Sequence, residues 1–303
     1  MAAPKQIKRY ILEKILKATV KFPSRQGLSA PTLRNLMDKA SIIFPVDKSL
    51  QFKSLKIAGI TCEEIKHRNT ESSQMLFHVH GGAFFLGSLK SHRGLMCDLV
   101  NYTKTQVLHF DYPLAPENPY PNALDKLYDV YLEILEQGIL PKDITFSGDS
   151  CGGNLALALC MKLRDEGKPL PSGLILMSPW LDLSLTGDSL DLNRKHDALL
   201  SNEALEEGIR HYITDDTSVD EAYVSPLFGN LKGLPEILVQ VGSKEILLDD
   251  AKRFKQMADD AGAKVTLSIF PGMWHNFHMF SHWIEDAKTA LNDIARFVDH
   301  VDR

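Results

Sequence analysis

The chain has 303 residues, of which 44% are hydrophobic and 24% are charged, and its formal net charge is −5. These values are ordinary for a globular protein of one or two domains with a large core, and the acidic balance argues against nucleic-acid binding, which needs a basic footprint. No stretch approaches the roughly 20 apolar residues of a membrane span, so stable membrane insertion is not expected.

The N-terminal residues and the cysteines indicate the compartment. Glu13, Lys14 and Lys17 interrupt the apolar residues near the start of the chain, so no signal peptide is predicted. The four cysteines contain no Cys-x-x-Cys pair, which favours free thiols in a reducing compartment. We therefore expect a cytoplasmic protein.

Residues 1–45 predict two helices. Ile7, Ile11 and Ile15 recur at helical spacing, and a second helix is expected from Ala30, where a proline follows in the first turn. This segment stands outside the regular alternation of elements that follows it.

From about residue 50 the chain alternates short β-rich runs with helical stretches, a pattern typical of an α/β sheet. Strands are predicted over SLKIAGI, TCEEIKH, QMLFHVH (74–80), TQVLHFDY (105–112), DITFSG (143–148), GLILMSPW (173–180), PEILVQVG (235–242) and KVTLSIF (264–270). Helices are predicted over 92–102, 123–137, 250–261 and 285–299. The near-continuous apolar runs among the strands indicate burial on both faces of the sheet.

Residues 184–225 interrupt this alternation with a second helical segment. Leu205, Ile209 and Tyr212 fall on one face of a predicted helix. We expect this segment and residues 1–45 to cover the C-terminal edge of the sheet, where α/β proteins bind ligands. Five apolar side chains of the two segments either line an acyl or alcohol pocket or, as the more common role, pack the cover: Tyr10, Phe22, Met37, Leu205 and Ile209.

A Gly-x-Ser-x-Gly motif stands between a predicted strand and the apolar helix NLALALCMKL. Its members are Gly148, Asp149, Ser150, Cys151 and Gly152. In this context the motif is typical of a nucleophile elbow, a tight turn that exposes the serine above the sheet. A helix N-cap would account for Ser150 but not for the glycines around it. We interpret Ser150 as a nucleophile, with Gly148, Asp149 and Gly152 in supporting positions.

The run FHVHGGAFFLGS (77–88) predicts an oxyanion hole. It follows a predicted strand and matches the His-Gly-Gly-Gly type of loop, with alanine in the third place. Gly81 and Gly82 free the backbone to direct its N–H groups toward one point. The predicted donors are the backbone amides of Gly82, Ala83 and Cys151. An ordinary glycine turn is the alternative, and the elbow makes it the weaker one.

A serine nucleophile needs a base and an acid, which follow it in the order acid, then histidine. His275 and His278 lie in the loop after the last predicted strand; His275 is preferred as the base and His278 is a plausible neighbour. Glu245 lies in the loop after the preceding strand and is preferred as the acid, with Asp249 as the alternative. Asp249 and Asp250 stand where a helix begins and are interpreted as caps. The other histidines after the elbow are assigned to the covering segment or to exposed helical positions: His196, His211, His282 and His300.

Five ordered motifs, which run from residue 80 to 277, carry a family resemblance: HGGAFFLGS, DYPLAPENPYP, GDSCGGN, SPWLDLS and HNF. Together they resemble the hormone-sensitive-lipase-like esterases, which are α/β-hydrolases. The resemblance implies a mostly parallel eight-stranded sheet with flanking helices and a helical cap. It divides the chain into an N-terminal cap segment (1–45), a catalytic domain (46–183 and 226–303) and an inserted cap segment (184–225).

The resemblance also implies the hydrolysis of small-molecule carboxylic esters, usually with short acyl chains, without a cofactor or metal. By motif position, Ser150 would be the nucleophile, His275 the base and Glu245 the acid. Activity would then rise through roughly pH 6.5 as the histidine loses its proton. A homodimer through the last strand and helix would be compatible with this family.

The motifs depart from the family pattern at two places. The acid motif, usually Asp-Pro-Leu, reads Glu-Ile-Leu at 245–247, and the third residue of the oxyanion loop is Ala83, where glycine is common. The backbone amide of Ala83 can act as well as that of glycine. His80 is expected to orient this loop and not to act as a second base, and Glu117 is expected to tie loops together beneath the site.

Other functions share this fold or its catalytic residues. An amidase or N-deacetylase would use the same triad and protonate a leaving amine. A dehalogenase or epoxide hydrolase would carry aspartate at the elbow, so Ser150 argues against both. A non-catalytic receptor, such as the plant gibberellin receptors, lacks the catalytic histidine, so the presence of His275 argues against that class.

Overall fold

The computed structural model describes residues 4–17, 28–69 and 73–301. Its strands are β1 Gln51–Ile57, β2 Ile60–Lys66, β3 Met75–Val79, β4 Gln106–Phe110, β5 Ile144–Asp149, β6 Gly173–Met177, β7 Glu236–Gly242 and β8 Val265–Phe270. Its α-helices are α1 Pro4–Leu16, α2 Ala30–Ala40, α3 Leu89–Thr103, α4 Asn122–Glu136, α5 Cys151–Asp165, α6 Ser189–Leu192, α7 Asn202–Tyr212, α8 Leu248–Asp260 and α9 Glu285–Val301.

The strands form one eight-stranded sheet in the order β1-β2-β4-β3-β5-β6-β7-β8. β2 runs antiparallel to β1 and β4, and the six strands β3 to β8 are parallel to one another. The mostly parallel α/β sheet is therefore confirmed. Because β3, β5 and β6 are parallel neighbours, their carboxyl ends lie at one edge of the sheet, and all three strands are buried on both faces.

Helices cover both faces of the sheet. Leu76 and Ile175 pack with α3 and α9 on one face, whereas Phe77 and Leu174 belong to the core shared with α4, α5 and α8 on the other. This alternation follows from the two-residue period of side chains along a strand. The two cores hold the sheet edge that carries the candidate site in a fixed geometry.

Element ends differ from the prediction where local backbone geometry decides them. β6 ends at Met177 and not at residue 180, because Ser178 takes a positive φ of 47°, which breaks the strand. α3 begins at Leu89, ahead of the predicted residue 92, because Ser88 caps it and accepts from the N–H groups of Lys90 and Ser91. His282, predicted to be helical, is exposed but lies in the turn before α9.

The N-terminal helices form at the predicted places, and α1 packs against the loop after β8. Leu16 of α1 is buried with Trp274 and Phe277 from the loop after β8, whereas Ile11 and Ile15 remain about half exposed. In the inserted segment, α7 buries Leu205 and Tyr212, and Ile209 packs partly buried beside them. The division into cap and catalytic domains stays a prediction.

The cysteines are free thiols and the helices are those of a protein without a membrane-spanning helix among the described residues. All four cysteines, Cys62, Cys97, Cys151 and Cys160, are unpaired and buried. No helix within the described ranges is both long and apolar enough to cross a membrane.

Candidate active site

Ser150 occupies a tight turn between β5 and α5. Its φ of 54° and ψ of −124° are strained for a residue with a Cβ atom. The turn is held by two backbone hydrogen bonds, from Ser150 N to Met177 O at 2.9 Å and from Trp180 N to Ser150 O at 3.1 Å. Ser150 stands at the N-cap position of α5, but its side chain makes no capping hydrogen bond, so capping does not account for the serine.

Gly148 and Gly152 are required by close contacts around this turn. A Cβ atom at Gly148 would collide with the carbonyl oxygen of Gly152, and one at Gly152 would collide with the carbonyl oxygen of Val79. The strand, the turn and the first helical turn therefore pass at distances that only glycine permits. This is the local reason why the serine projects from the end of β5.

The predicted oxyanion loop lies against the same turn. Gly82, Ala83 and Phe84 all have positive φ values, of 128°, 51° and 67°. Phe84 N donates to Cys151 Sγ at 3.1 Å, which joins the loop to the first residue of α5. The positive φ of Ala83 accounts for the frequent glycine at this place, since alanine pays about 1 kcal/mol or more in this conformation.

His80 and Gly81 anchor the start of this loop. The His80 ring is buried, its Nδ1 lies 2.8 Å from Gly81 O, and it stacks on Tyr112 at 4.4 Å. Tyr112 Oη donates to His80 O at 2.8 Å. Gly81 N donates to Asp149 Oδ1 at 3.0 Å, so the loop is bound to the residue before Ser150. His80 therefore contacts the loop at Gly81 and is itself held by Tyr112, and its loop-orienting role stays a prediction.

His275 and Glu245 form a buried pair at the same edge of the sheet. His275 Nδ1 lies 3.1 Å from Glu245 Oε2. Glu245 Oε1 accepts from Ser178 Oγ at 2.7 Å and from Gly242 N at 2.5 Å. With Nδ1–H directed at the carboxylate, Nε2 is the ring nitrogen that can accept a proton.

The alternative residues lie elsewhere. Asp249 Oδ2 accepts from Ser189 N at 2.8 Å, and Asp250 Oδ2 accepts from Leu181 N at 2.8 Å. Neither caps α8, whose N-cap is Leu247, so the capping interpretation is wrong because both carboxylates bind the segment after β6 instead. His278 Nε2 lies 3.1 Å from Gln240 Oε1, and no hydrogen bond joins its described ring to Glu245.

The charges and burial around His275 and Glu245 favour proton uptake by the His275 ring. Burial opposes the charged form of His275, but the hydrogen bond and the negative charge of Glu245 outweigh it, so the pKa of His275 lies above its ordinary value. Burial raises the pKa of Glu245.

Ser150 Oγ has no hydrogen bond to His275 or to another residue within the described chain. The hydrogen bond between a nucleophile and its base often tightens only when substrate is bound.

Asp149 connects the three parts of the site. Besides Gly81 N, it accepts from Asn276 Nδ2 at 2.6 Å, and it lies 3.3 Å from His78 Nε2 and 3.5 Å from His92 Nε2. Burial favours the neutral acid, but His92 and His78 hold the pKa of Asp149 well below its ordinary range. The carboxylate therefore ties the elbow to the oxyanion loop and to the loop of His275.

Three contact residues of the site were not identified from the sequence. Ser178 and Asn276 stand within the motifs SPWLDLS and HNF. A polar side chain inside each motif was the sequence signal that could have identified them as site residues. Asp197, whose carboxylate accepts from His275 N at 3.3 Å, lies in the inserted segment, and no local sequence pattern identified it.

Among the described residues, no group of three or more His, Cys, Asp or Glu side chains is placed to hold a metal ion.

The expected pocket-lining residues divide by position. Leu205 is fully buried in the core and Ile209 packs beside it, whereas Tyr10 is 60% exposed. Met37 is half-buried on α2, and Phe22 lies outside the described residues. Packing is therefore the structural role of Leu205.

Glu117 joins loops through α2. Both carboxylate oxygens bind the guanidinium of Arg34, at 3.0 and 2.7 Å. The same guanidinium donates to Phe85 O and Ala115 O, at 2.8 and 2.6 Å. The expected loop-tying role of Glu117 is thus exerted through a residue of the N-terminal segment.

Comparisons with known proteins agree with this architecture. Residues 76–279 match the alpha/beta hydrolase fold family. An esterase of Acinetobacter venetianus strain RAG-1 is 55% identical over 295 residues, which cover 97% of each chain. An acetyl-hydrolase of Streptomyces hygroscopicus is 36% identical over 228 residues, or 75% of this chain and 76% of that protein.

The similarity to one solved structure covers the whole fold. The crystal structure of an esterase from the bacterial hormone-sensitive lipase family superposes with a TM-score of 0.92 and 30% identity, and all of each chain is covered. Esterase relatives at this coverage favour ester hydrolysis over the amidase and receptor alternatives. The chain belongs to the alpha/beta hydrolase fold family, within the hormone-sensitive-lipase-like esterases, and is a serine carboxylesterase that acts on small-molecule esters.

Proposed function

We propose that Ser150, His275 and Glu245 form the catalytic triad, and that the substrates are esters of short to medium acyl chains. The observation that carries the assignment is the buried 3.1 Å contact between His275 Nδ1 and Glu245 Oε2, at the sheet edge where the strained turn projects Ser150. The name of the Streptomyces relative, an acetyl-hydrolase, supports a short acyl group.

The reaction follows from these positions. Ser150 Oγ attacks the ester carbonyl carbon while His275 Nε2 takes the hydroxyl proton, and Glu245 stabilises the imidazolium. The backbone amides of Gly82, Ala83 and Cys151 are the proposed donors to the oxyanion, aided by the N-terminus of α5. His275 then protonates the departing alcohol. Water, deprotonated by the same imidazole, releases the acid from the acyl-serine.

The segments over the site are proposed to form a cap that shapes the acyl pocket. Gly208 of α7 lies so close to Ala83 that an added Cβ atom would stand 2.8 Å from the Ala83 carbonyl oxygen. The inserted segment (184–225) therefore rests on the proposed oxyanion loop, and residues 1–45 complete the cap in this proposal. The finer assignments of a cytoplasmic location and a homodimer through β8 and α9 also remain proposals.

The test is hydrolysis of p-nitrophenyl esters from acetate to palmitate by the wild type and by Ser150→Ala. We expect wild-type turnover that is highest for short chains and is lost in the variant. The chain-length profile then measures the depth of the acyl pocket. Residual turnover equal to wild type in Ser150→Ala, with the fold intact, would refute the assignment of the nucleophile.

A further inference from the structure

The carboxylate of Asp197, which belongs to the inserted segment, lies against the pair formed by His275 and Glu245. Asp197 is buried, its Oδ1 accepts from the backbone N of His275 at 3.3 Å, and its Oδ2 accepts from the backbone N of Ile246 at 3.1 Å. One carboxylate thus binds the backbone of the proposed base and of the residue that follows the proposed acid.

Asp197 is also held by its own segment. Oδ1 accepts from Leu199 N at 3.0 Å and from Leu200 N at 3.2 Å, which fixes the side chain in a turn. Nearby, Asn193 Nδ2 donates to Ser243 O at 3.2 Å and to Glu245 O at 2.8 Å. Asp197 and Asn193 of the inserted segment therefore both bind the acid loop, Asp197 through a charged side chain and Asn193 through a neutral one.

Four titratable groups from four parts of the chain face His275. Glu245 follows β7, Asp149 ends β5, Asp197 comes from the inserted segment and His278 follows His275 in the same loop. Burial lowers the pKa of His278 to about 3, so this ring is neutral near pH 7. The charges of the three carboxylates favour the protonated imidazole, against the effect of burial.

We infer that Asp197 is a positioning residue for ester hydrolysis. Its carboxylate fixes the backbone of His275 and of the acid loop, and its charge stabilises the imidazolium that forms when Ser150 gives up its proton. This inference rests on the proposed triad. It makes the inserted segment part of the catalytic arrangement, because the base reaches its working geometry only when that segment is docked.

The experiment compares variants that separate charge from anchoring. Asp197→Asn removes the charge with little change in shape, and Asp197→Ser removes it with a smaller polar side chain. Asn193→Ala removes one neutral anchor of the same segment. Asp216→Asn removes one negative charge from an exposed turn of that segment and serves as the matched control.

Two readouts are needed. The first is the pH profile of kcat and KM with p-nitrophenyl acetate, alongside thermal unfolding. The second is NMR titration of the His275 ring in protein with labelled histidine, assigned with a His275→Ala variant. The ring titration requires no catalysis, so it reports on Asp197 even if the proposed function fails.

We expect either folded Asp197 variant to lower kcat by about 10- to 100-fold with little change in KM. The titration of His275 should move to lower pH, because a negative charge near the imidazolium is gone. Asn193→Ala should lower thermal stability and leave the His275 titration in place, and Asp216→Asn should match the wild type. Wild-type kcat and an unmoved His275 titration in a folded Asp197 variant would overturn the inference.

Discussion

The side chain of Asn276 donates a 2.6 Å hydrogen bond to the carboxylate of Asp149. Asn276 follows the proposed base and Asp149 precedes the proposed nucleophile, so this one bond joins two loops that are 127 residues apart in the chain. The backbone N of Asn276 also donates to Ser178 Oγ at 3.2 Å, and Ser178 in turn donates to Glu245. The relative position of base and nucleophile therefore depends on Asn276.

Asn276→Ala should lower kcat for p-nitrophenyl acetate by about 10- to 100-fold, because His275 loses its tie to the elbow. The free energy of unfolding should fall by about 1–3 kcal/mol, since a buried charged acceptor loses one partner. Steady-state kinetics and urea unfolding measure both effects. Asn292→Ala, which removes an exposed amide bonded to Lys288 O in α9, is the matched control and should leave kcat unchanged. Equal kcat values in the two variants would show that the hydrogen bond between Asn276 and Asp149 does not position the base.

Glu245→Gln should lower kcat by about 10³- to 10⁴-fold, because an amide can hold the imidazole in the wrong tautomer and cannot stabilise its charge. KM should change little, since the carboxylate is buried behind the ring. Asp249→Asn is the comparison variant: its carboxylate binds Ser189 N and not the imidazole, so most of the wild-type kcat should remain. A larger loss in Asp249→Asn than in Glu245→Gln would reverse the assignment of the acid.

The pH dependence of kcat/KM should show an acidic limb above pH 6.5. Only neutral His275 can accept the serine proton, and its pKa is raised above 6.5 because Glu245 outweighs the effect of burial. Activity should therefore rise with pH through that raised pKa. Initial rates across pH 5–9, with a stability check at each pH, give the limb. A flat profile would argue against His275 as the base, and an acidic limb below pH 6.5 would show that Glu245 does not outweigh the effect of burial on its pKa.

Gly152→Ala should destabilise the fold and abolish turnover, because the added methyl group would collide with the carbonyl oxygen of Val79. We expect a loss of about 1–3 kcal/mol or more in the free energy of unfolding. Gly138→Ala meets no atom within 4 Å but has the cost of a positive φ, 91°, which Gly152 does not have, so its loss should be about 1–2 kcal/mol with kcat retained. Chemical denaturation compares the two. Wild-type kcat in folded Gly152→Ala would show that crowding at the elbow is unimportant.

Sequence patterns predicted the features that depend on neighbouring residues. The alternation of apolar runs predicted the eight strands, and the glycines around Ser150 predicted the turn, because both follow from local backbone geometry. The position of His275 after the last strand followed from the order of elements in the chain. Each of these signals lies within a short stretch of sequence.

Tertiary structure decided the features that depend on which loops meet. Glu245 and Asp249 stand four residues apart, and only the path of the chain after β7 directs one to His275 and the other to Ser189. The same holds for Asp197, which reaches His275 from 78 residues away. The sequence by itself determined the fold class, the elbow and the candidate base through local spacing. The contact of Glu245 with His275, the carboxylate of Asp197 beside His275 and the tie through Asn276 arise instead from contacts between distant segments, which local spacing does not encode.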